Sequence, residues 1–588
     1  MVGDGGLTIV FEPPLCVPGG DTVVAVTPAA YDACVHLGLD VGVVDDVIVR
    51  AEVLPDLDAY TRWQSGWFSR LDDFLDADGA FEACTQLLKY AMDSLVTTCL
   101  LAGALVESTQ ATRITYVGKE QSNDADPLLK GLPLQFCLRR GDAPLWGQIL
   151  TAIASSRSIP MASSSSEGRQ TLPPENRPPI RQRLLNRFGH LASPGRHFDV
   201  TRWRPGRTES TLLTWPGGYG SAAIARAEHG RGRRILVLQR GAATTRMVEP
   251  VPWGWRAASD PVAVAPRPLD SAPSALTELL APFLSEIDTW CDIPHVSDIF
   301  RSRLEAVVTR VMPIVDSAAR VLATDLARRH VSSVVSANPS SPEEFAAILA
   351  ARRSGVETVL AQHGDYMFAY EGWLVCETNL FTRLLTSDPT LLVDIPAAGE
   401  RLGIPTPTVS YSDHRRLARR RPKAGAVCYV PAFLWGDTST IPPTTYEDTW
   451  YHRWHLGLLE RMLLHPDTEF IWKALPDADQ VADPIRALIE SSQANVRYEI
   501  APFRWLLDDV ERTLVDVPST PAYEAAWAGI PLLVLAFPHL APLRPHAVSQ
   551  FQTVVRACAD TATALAVLDE WLADDPSRWI VPESALTV

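Results

Sequence analysis

Histidine, acid and hydroxyl side chains gather at two points of this chain where an apolar, strand-like run stops. The first is Gln362-His363-Gly364-Asp365, which closes the run Glu357-Thr358-Val359-Leu360-Ala361. An imidazole titrates near neutrality and can take a proton from a hydroxyl. Asp365, two positions on, could orient that ring or act as the base itself. The second point is Asp516-Val517-Pro518-Ser519-Thr520, which closes Arg512-Thr513-Leu514-Val515 and opens a helical run carrying Glu524. Ser519 and Thr520 bring two hydroxyls to a helix start, where free amides and the helix dipole favour an anion. Glu524, one turn in, can accept two hydrogen bonds from a ribose diol. Lys473 ends Glu469-Phe470-Ile471-Trp472 and places a cation where a leaving diphosphate needs its charge offset. Plainer roles stand beside each of these: a helix cap at 519 or 520, a surface carboxylate at 524, a structural histidine at 363 and a snorkelling lysine at 473.

The elements around these residues alternate in type. Leu7–Phe11, Thr22–Val26, Val41–Val49 and Ile114–Gly118 read as strands; Tyr60–Leu75 and Phe81–Ala104 carry apolar residues at helical spacing. Strand-like Ser210–Trp215 and Arg234–Gln239 follow, then helices over Ser274–Thr289 and Ser297–His330. Val331–Asn338, the helix Pro342–Arg353 and the strand before Gln362 make a strand–helix–strand unit of the length a parallel crossover needs. A second alternating series begins at Ala426 and includes the helix Trp450–Leu464 and the strands Val496–Ile500, Arg512–Val517 and Pro531–Phe537. Such alternation predicts an α/β protein with parallel sheets, and in such sheets ligands sit outside the carboxyl ends of the strands. Gly529-Ile530-Pro531 supplies the glycine that ends the helix after Thr520 and the proline beyond it.

The second site has the pattern of a known fold. Asp516-Val517-Pro518-Ser519-Thr520, followed by Glu524 and by Gly529-Ile530-Pro531, resembles the donor-nucleotide loop of glycosyltransferases with the two-Rossmann (GT-B) fold. It is also similar to that of nonhydrolysing nucleotide-sugar epimerases. The resemblance implies phosphates at Ser519 and Thr520 and ribose at Glu524. Gln362-His363-Gly364 resembles a tripeptide of bacterial surface-carbohydrate transferases, including the polyol-phosphate transferases of teichoic acid assembly, and implies a base at His363. In those enzymes a lysine or arginine before a proline sits where Lys473 does, often beside a histidine that this chain lacks. The expectation is therefore two Rossmann-like domains facing a cleft. An acceptor domain spans 1–405, with a large basic insertion at 157–207, and a nucleotide-donor domain spans 425–588. The expected reaction moves a sugar, or a polyol phosphate, from a nucleotide-activated donor to a glycan or lipid-linked acceptor of the cell surface. No cofactor and no metal ligand is expected beyond that substrate. Epimerisation of a nucleotide sugar and a non-catalytic glycan- or partner-binding scaffold stay open as alternatives.

Bulk properties narrow the field. A chain of 588 residues exceeds one ordinary core. Its net charge of −16 argues against non-specific nucleic-acid binding. The acidity is uneven: ten arginines stand against Glu167, Glu175 and Asp199 between Arg157 and Arg207, together with the run Ser163–Ser166. That stretch reads as a solvated loop, with a patch for anionic lipid head groups as the alternative. A second basic stretch, Ser410–Ala424, marks the expected domain boundary. The nine cysteines lack metal or redox spacing, and Leu95–Val106 is too short to span a bilayer. The expected location is the cytoplasm, with peripheral association at the inner membrane face left open. Acidic triplets such as Asp56-Leu57-Asp58 are read as helix caps and turns rather than metal ligands.

Overall fold

The structure is a computed structural model. It describes residues 5–14, 17, 21–75, 80–118, 142–164, 209–214, 224–225, 227–228, 230–239, 244–251, 254–257, 262–263, 274–294, 296–306, 312–337, 339, 342–361, 370–412, 425–432, 446–474, 484–492, 495–518 and 520–586. Three sheets, mostly of parallel strands, carry these residues, so the α/β expectation holds. The sheets number three where two Rossmann-like units were expected, because the residues before 411 form two of them.

The first sheet contains β1 (Gly6–Val10), β2 (Thr22–Ala25), β3 (Val41–Gly42), β4 (Arg113–Val117) and β5 (Met161–Ser164) in the order β3-β2-β1-β4-β5, all parallel. Val41–Val49 was expected as one strand; it stops at Gly42 and turns into a short helix, Val44–Val47, whose leading Val43 amide donates to Asp46. β5 falls inside the stretch read as a solvated loop, and 165–208 lies outside the described residues.

The second sheet holds β6 (Ser210–Leu213), β7 (Arg234–Gln239), β8 (Thr244–Val251), β9 (Gly254–Ala257), β10 (Val262–Ala263), β11 (Val331–Ser336), β12 (Glu357–Ala361), β13 (Arg383–Thr386) and β14 (Thr408–Tyr411). Its parallel part runs β7-β6-β11-β12-β13-β14, with β8, β9 and β10 added antiparallel at one edge. The helix expected over Ser297–His330 is two helices, Val296–Ala306 and Met312–Arg328, with 307–311 outside the described residues.

Helix α1 (Pro28–His36) follows β2, and α2 (Leu57–Leu75) and α3 (Ala80–Ser108) follow β3. One apolar core joins the first two sheets. It runs from Leu7 and Ile9 through Leu95, Val96 and Leu105 of α3 to Phe345 and Ile348 of α4 (Pro342–Arg353), the crossover between β11 and β12. Strands of both sheets carry apolar residues on both faces: Leu7, Ile9, Val334 and Leu360 join that core, while Val10, Val335 and Val359 pack on the other side.

The third sheet contains β15 (Ala426–Val430), β16 (Phe470–Lys473), β17 (Val496–Glu499), β18 (Val510–Val515), β19 (Leu532–Ala536) and β20 (Val555–Ala557) in the all-parallel order β17-β16-β15-β18-β19-β20. Counted within the sheet this is 3-2-1-4-5-6, the doubly wound Rossmann order, whose strand sequence reverses between β15 and β18. Its faces alternate as a pleat requires. Cys428, Val430, Ile471 and Val515 pack one way, and Val427, Tyr429, Trp472 and Leu514 the other.

Three further helices matter to the site: α5 (Leu391–Leu402) after β13, α6 (Asp448–Leu463) after β15, and α7 (Thr520–Ala528) after β18. The end of α7 follows the sequence expectation: Gly529 takes φ +70° while the Ile530 and Gly529 amides bond back to Ala525 and Ala526.

Arg544, in the loop between β19 and the helix Pro545–Gln550, crosses to the second sheet. Its guanidinium is wholly buried and pairs with Asp388, just past β13 (2.5 Å), with Asp394 of α5, and with the Thr390 hydroxyl (2.9 Å). His546 Nδ1 meets the other oxygen of Asp394 at 2.5 Å. Because Asp388 and Arg544 both lie beyond carboxyl ends of their strands, those edges of the second and third sheets are turned toward each other. The first sheet holds the same carboxyl-terminal unit elsewhere, through Asp32 with His452 (2.8 Å) and Asp46 with Arg453 (2.5 and 2.8 Å).

Removing Arg544 leaves two buried carboxylates without their cation. R544A is therefore expected to lose roughly 3–5 kcal/mol in denaturant unfolding; a loss under about 1 kcal/mol, the range of a surface pair, would contradict the burial described.

Candidate functional site

The carboxyl edge of the third sheet, where the strand order reverses, gathers most of the predicted residues that the structure describes. Thr520 begins α7 there and is half-buried. Glu524, four residues on, is buried, as is Lys473 at the end of β16. Lys473 is thus no snorkelling surface lysine. Its side chain shares the sheet face of Ile471 and Cys428, and its ammonium donates to the Ala474 carbonyl. Burial pushes its pKa down to about 8, against the opposing pull of Cys428, Glu524 and Glu499. Glu524 and Lys473, far apart in sequence, are therefore electrostatic neighbours across the switch point. The buried Cys428 thiol on the adjacent strand is pushed up to about 12, so it stays protonated.

On the opposite face lies a carboxylate that sequence reasoning quoted but gave no role. Asp516, one residue past β18, is fully buried. Its Oδ2 accepts from the Tyr429 hydroxyl (2.5 Å) and Trp454 Nε1 (2.8 Å), and its Oδ1 from the Tyr451 hydroxyl (2.7 Å). Its backbone carbonyl accepts from the Tyr446 hydroxyl (2.9 Å). Desolvation outweighs these hydrogen bonds and raises its pKa to about 6. A signal was present in the sequence: Tyr446, Trp450, Tyr451 and Trp454 recur at helical spacing, and an acid ends an apolar strand. The aromatics also pack on one another, since Tyr446, Trp450 and Trp454 meet Phe537 edge-on.

Next to this cluster, Glu447 caps α6, accepting from the Thr449 and Trp450 amides (3.1 and 2.8 Å). Burial and the nearby Asp45 push its pKa up, while Arg50 opposes them.

Across the cleft, β12 ends at Ala361 beside β13, whose end leads to Asp388 and hence to Arg544. The strand that runs into Gln362-His363-Gly364 thus opens on the edge facing the third sheet. His363 and Asp365 themselves lie outside the described residues, as does Ser519. So does the acidic triplet Asp477-Ala478-Asp479. Asp56 caps α2 through the Ala59 amide (2.7 Å), as expected of the triplet Asp56-Leu57-Asp58, whereas Asp58 lies in the first turn of the helix and pairs with Arg401 (2.8 Å).

No protein-family profile matches the chain, and no curated protein does. Among solved structures it is similar to the UDP-GlcNAc 2-epimerase from Neisseria meningitidis bound to UDP-GlcNAc, at TM-score 0.38 and 12% identity, over 65% of this chain and 96% of that one. It is similar to a glycosyltransferase from Rickettsia africae (0.34, 11%, 65% and 93%) and to MurG from Acinetobacter baumannii (0.32, 12%, 65% and 94%). Likeness at these scores says nothing of the reaction, and the α/β assignment stands on the strand orders above. Among the described residues no helix is long and apolar enough to cross a membrane.

The raised pKa of Asp516 carries a sign. A carboxyl whose folded pKa exceeds its unfolded value near 3.9 favours the native state most when protonated, and that advantage fades as pH rises through about 6. Relative to D516N, the wild-type protein should gain about 2 kcal/mol between pH 7.5 and 4.5. Parallel pH–melting curves for the two proteins would contradict it.

Proposed function

We propose that the chain is a sugar-nucleotide enzyme of the GT-B type, and within that class a transferase. The observation that carries this reading is the reversal point of the third sheet. The amino-terminal turn of α7, Glu524 and the buried Lys473 meet there, on an edge turned toward the strand that leads to His363. In this reading Ser519, Thr520 and the first amides of α7 hold the donor phosphates. Glu524 takes the ribose diol and Lys473 offsets charge on the departing diphosphate. His363, oriented by Asp365, removes the acceptor proton. The acceptor oxygen bonds to the anomeric carbon, and the nucleoside diphosphate leaves with the electrons of the broken carbon–oxygen bond. No metal or further cofactor is invoked. The acceptor is a glycan or lipid-linked saccharide of the cell surface, met in the cytoplasm or at the inner face of the membrane.

Thermal shift with a panel of nucleoside mono- and diphosphates is the first measurement, because a ligand of the native state raises Tm. H363A should bind the responding nucleotide as the wild type does while losing turnover by roughly 10²–10⁴-fold. Undiminished turnover removes His363 as base. Interconversion of free nucleotide sugars without any acceptor would instead favour the epimerase.

Lys473 adds a pH signature. The ammonium form, which dominates below about pH 8, is the one that attracts phosphate. Nucleotide affinity should therefore fall as pH rises through 8, and K473M should bind roughly tenfold more weakly with that dependence gone, in line with one lost charge-assisted contact. An identical pH profile in K473M would remove Lys473 from the donor site.

A further inference from the structure

We propose that Asp516 is a positioning residue for the donor site, acting through the Tyr451 and Tyr446 hydroxyls to fix the departures of β15, β18 and β19 relative to one another. The inference rests on the donor reading of this edge. Asp516 is fully buried and does not touch a ligand; its effect passes through the phenols.

The chemistry is directional. An ionised carboxylate only accepts, and an indole N–H only donates. Tyr451 gives its proton to Asp516 Oδ1, which leaves its oxygen free to accept the Ala432 amide (2.8 Å), just past β15. Tyr446 gives its proton to the Asp516 carbonyl and accepts the Phe537 amide (3.3 Å), just past β19. Both relays run from amide to phenol to Asp516, so three adjacent strand ends are tied at one residue. Tyr429 and Trp454 hold the second carboxylate oxygen from β15 and α6. Strand ends held this way keep the loops around a phosphate from drifting, and small misplacements in such a site cost affinity.

Protonation reverses the polarity of this cluster. A protonated or amide side chain at 516 carries hydrogens of its own, while three donors already point at it. The titratable groups facing Asp516 are Tyr429 on β15 and Tyr451 on α6. Behind them lie Tyr446, His455 on α6 and Cys558 past β20. Burial holds the phenols and the thiol above their ordinary ranges and holds His455 below its own. Asp516 is thus the member of the cluster that titrates near pH 6. Glu447, next in sequence to Tyr446, is also pushed up and supplies a control variant.

The test uses the full chain, with UDP and GDP as probes, and amide hydrogen exchange without ligand. In D516N and Y451F, both checked for a cooperative melt, Ala432 should exchange at least about tenfold faster while Cys428 in mid-strand stays protected. The affinity of the bound nucleotide should fall roughly five- to tenfold at pH 7.5, the effect of losing one such hydrogen bond. As pH drops through 6 the affinity should weaken more in the wild type and in E447Q than in D516N, where only titration of the probe's own terminal phosphate acts. Unchanged exchange at Ala432 in both variants, or unchanged nucleotide affinity in both, overturns the inference. A wild-type chain that binds neither nucleotide sinks the donor reading, and this inference with it, and that result is distinct from bound nucleotide with unaltered variants.

Discussion

Arg544 and its two aspartates are the contact on which the geometry of the cleft depends. A guanidinium with no exposed surface is tolerable only when fully paired. Here its partners come from the far side of the cleft: Asp388 from the turn after β13 and Asp394 from α5. One arginine thus sets the distance between two sheet edges that belong to separate cores. Without it the third sheet would still fold around its own two faces, but the direct tie between its carboxyl edge and that of the second sheet would be lost. The His546 ring meets Asp394 from the solvent side.

The third sheet shows how one strand end can serve two purposes because successive residues point to opposite faces. Residues on the Ile471 and Cys428 side look toward α7, and there the lysine at the end of β16 comes under the influence of Glu524. On the Tyr429 and Leu514 side the same edge meets α6 and closes over Asp516. The Lys473 and Glu524 charges and the hydrogen bonds of Asp516 are kept apart by a single sheet thickness. That separation lets a lysine with a lowered pKa and an aspartate with a raised one coexist without forming the ion pair that would neutralise both.

Much of this was legible in the chain. Period and punctuation located β11, α4 and β12 as a crossover unit, and the glycine and proline after α7 ended that helix where expected. Lys473 and Glu524 were legible as site candidates because each sits next to a strand end or a helix start. What escaped was long-range. Arg544 stands in a loop of ordinary composition, and its meaning comes only from Asp388 and Asp394, some 150 positions earlier. Asp516 was read as the opening of a motif, whereas its partners lie between Tyr429 and Trp454. Periodicity reports which face a residue occupies, not what the other side of a fold will bring to it.

The split of the first 411 residues into two sheets has a similar cause. Alternating strands and helices are the signature of a parallel sheet, but the alternation does not say where one sheet stops. The separation is made by α3: twenty-nine residues long, it carries apolar side chains into the core shared by both sheets. Its middle also holds a buried Lys89–Asp93 pair, to which Tyr60 and Gln64 of α2 are hydrogen-bonded. A helix apolar on most of its surface forms no solvent-facing layer and must be enclosed. Other helices, α2 and α4 among them, pack around it, and the contacts named above between the second and third sheets are polar ones. An interface of that kind can be re-formed after small rigid-body movements, whereas the close-packed core around α3 cannot.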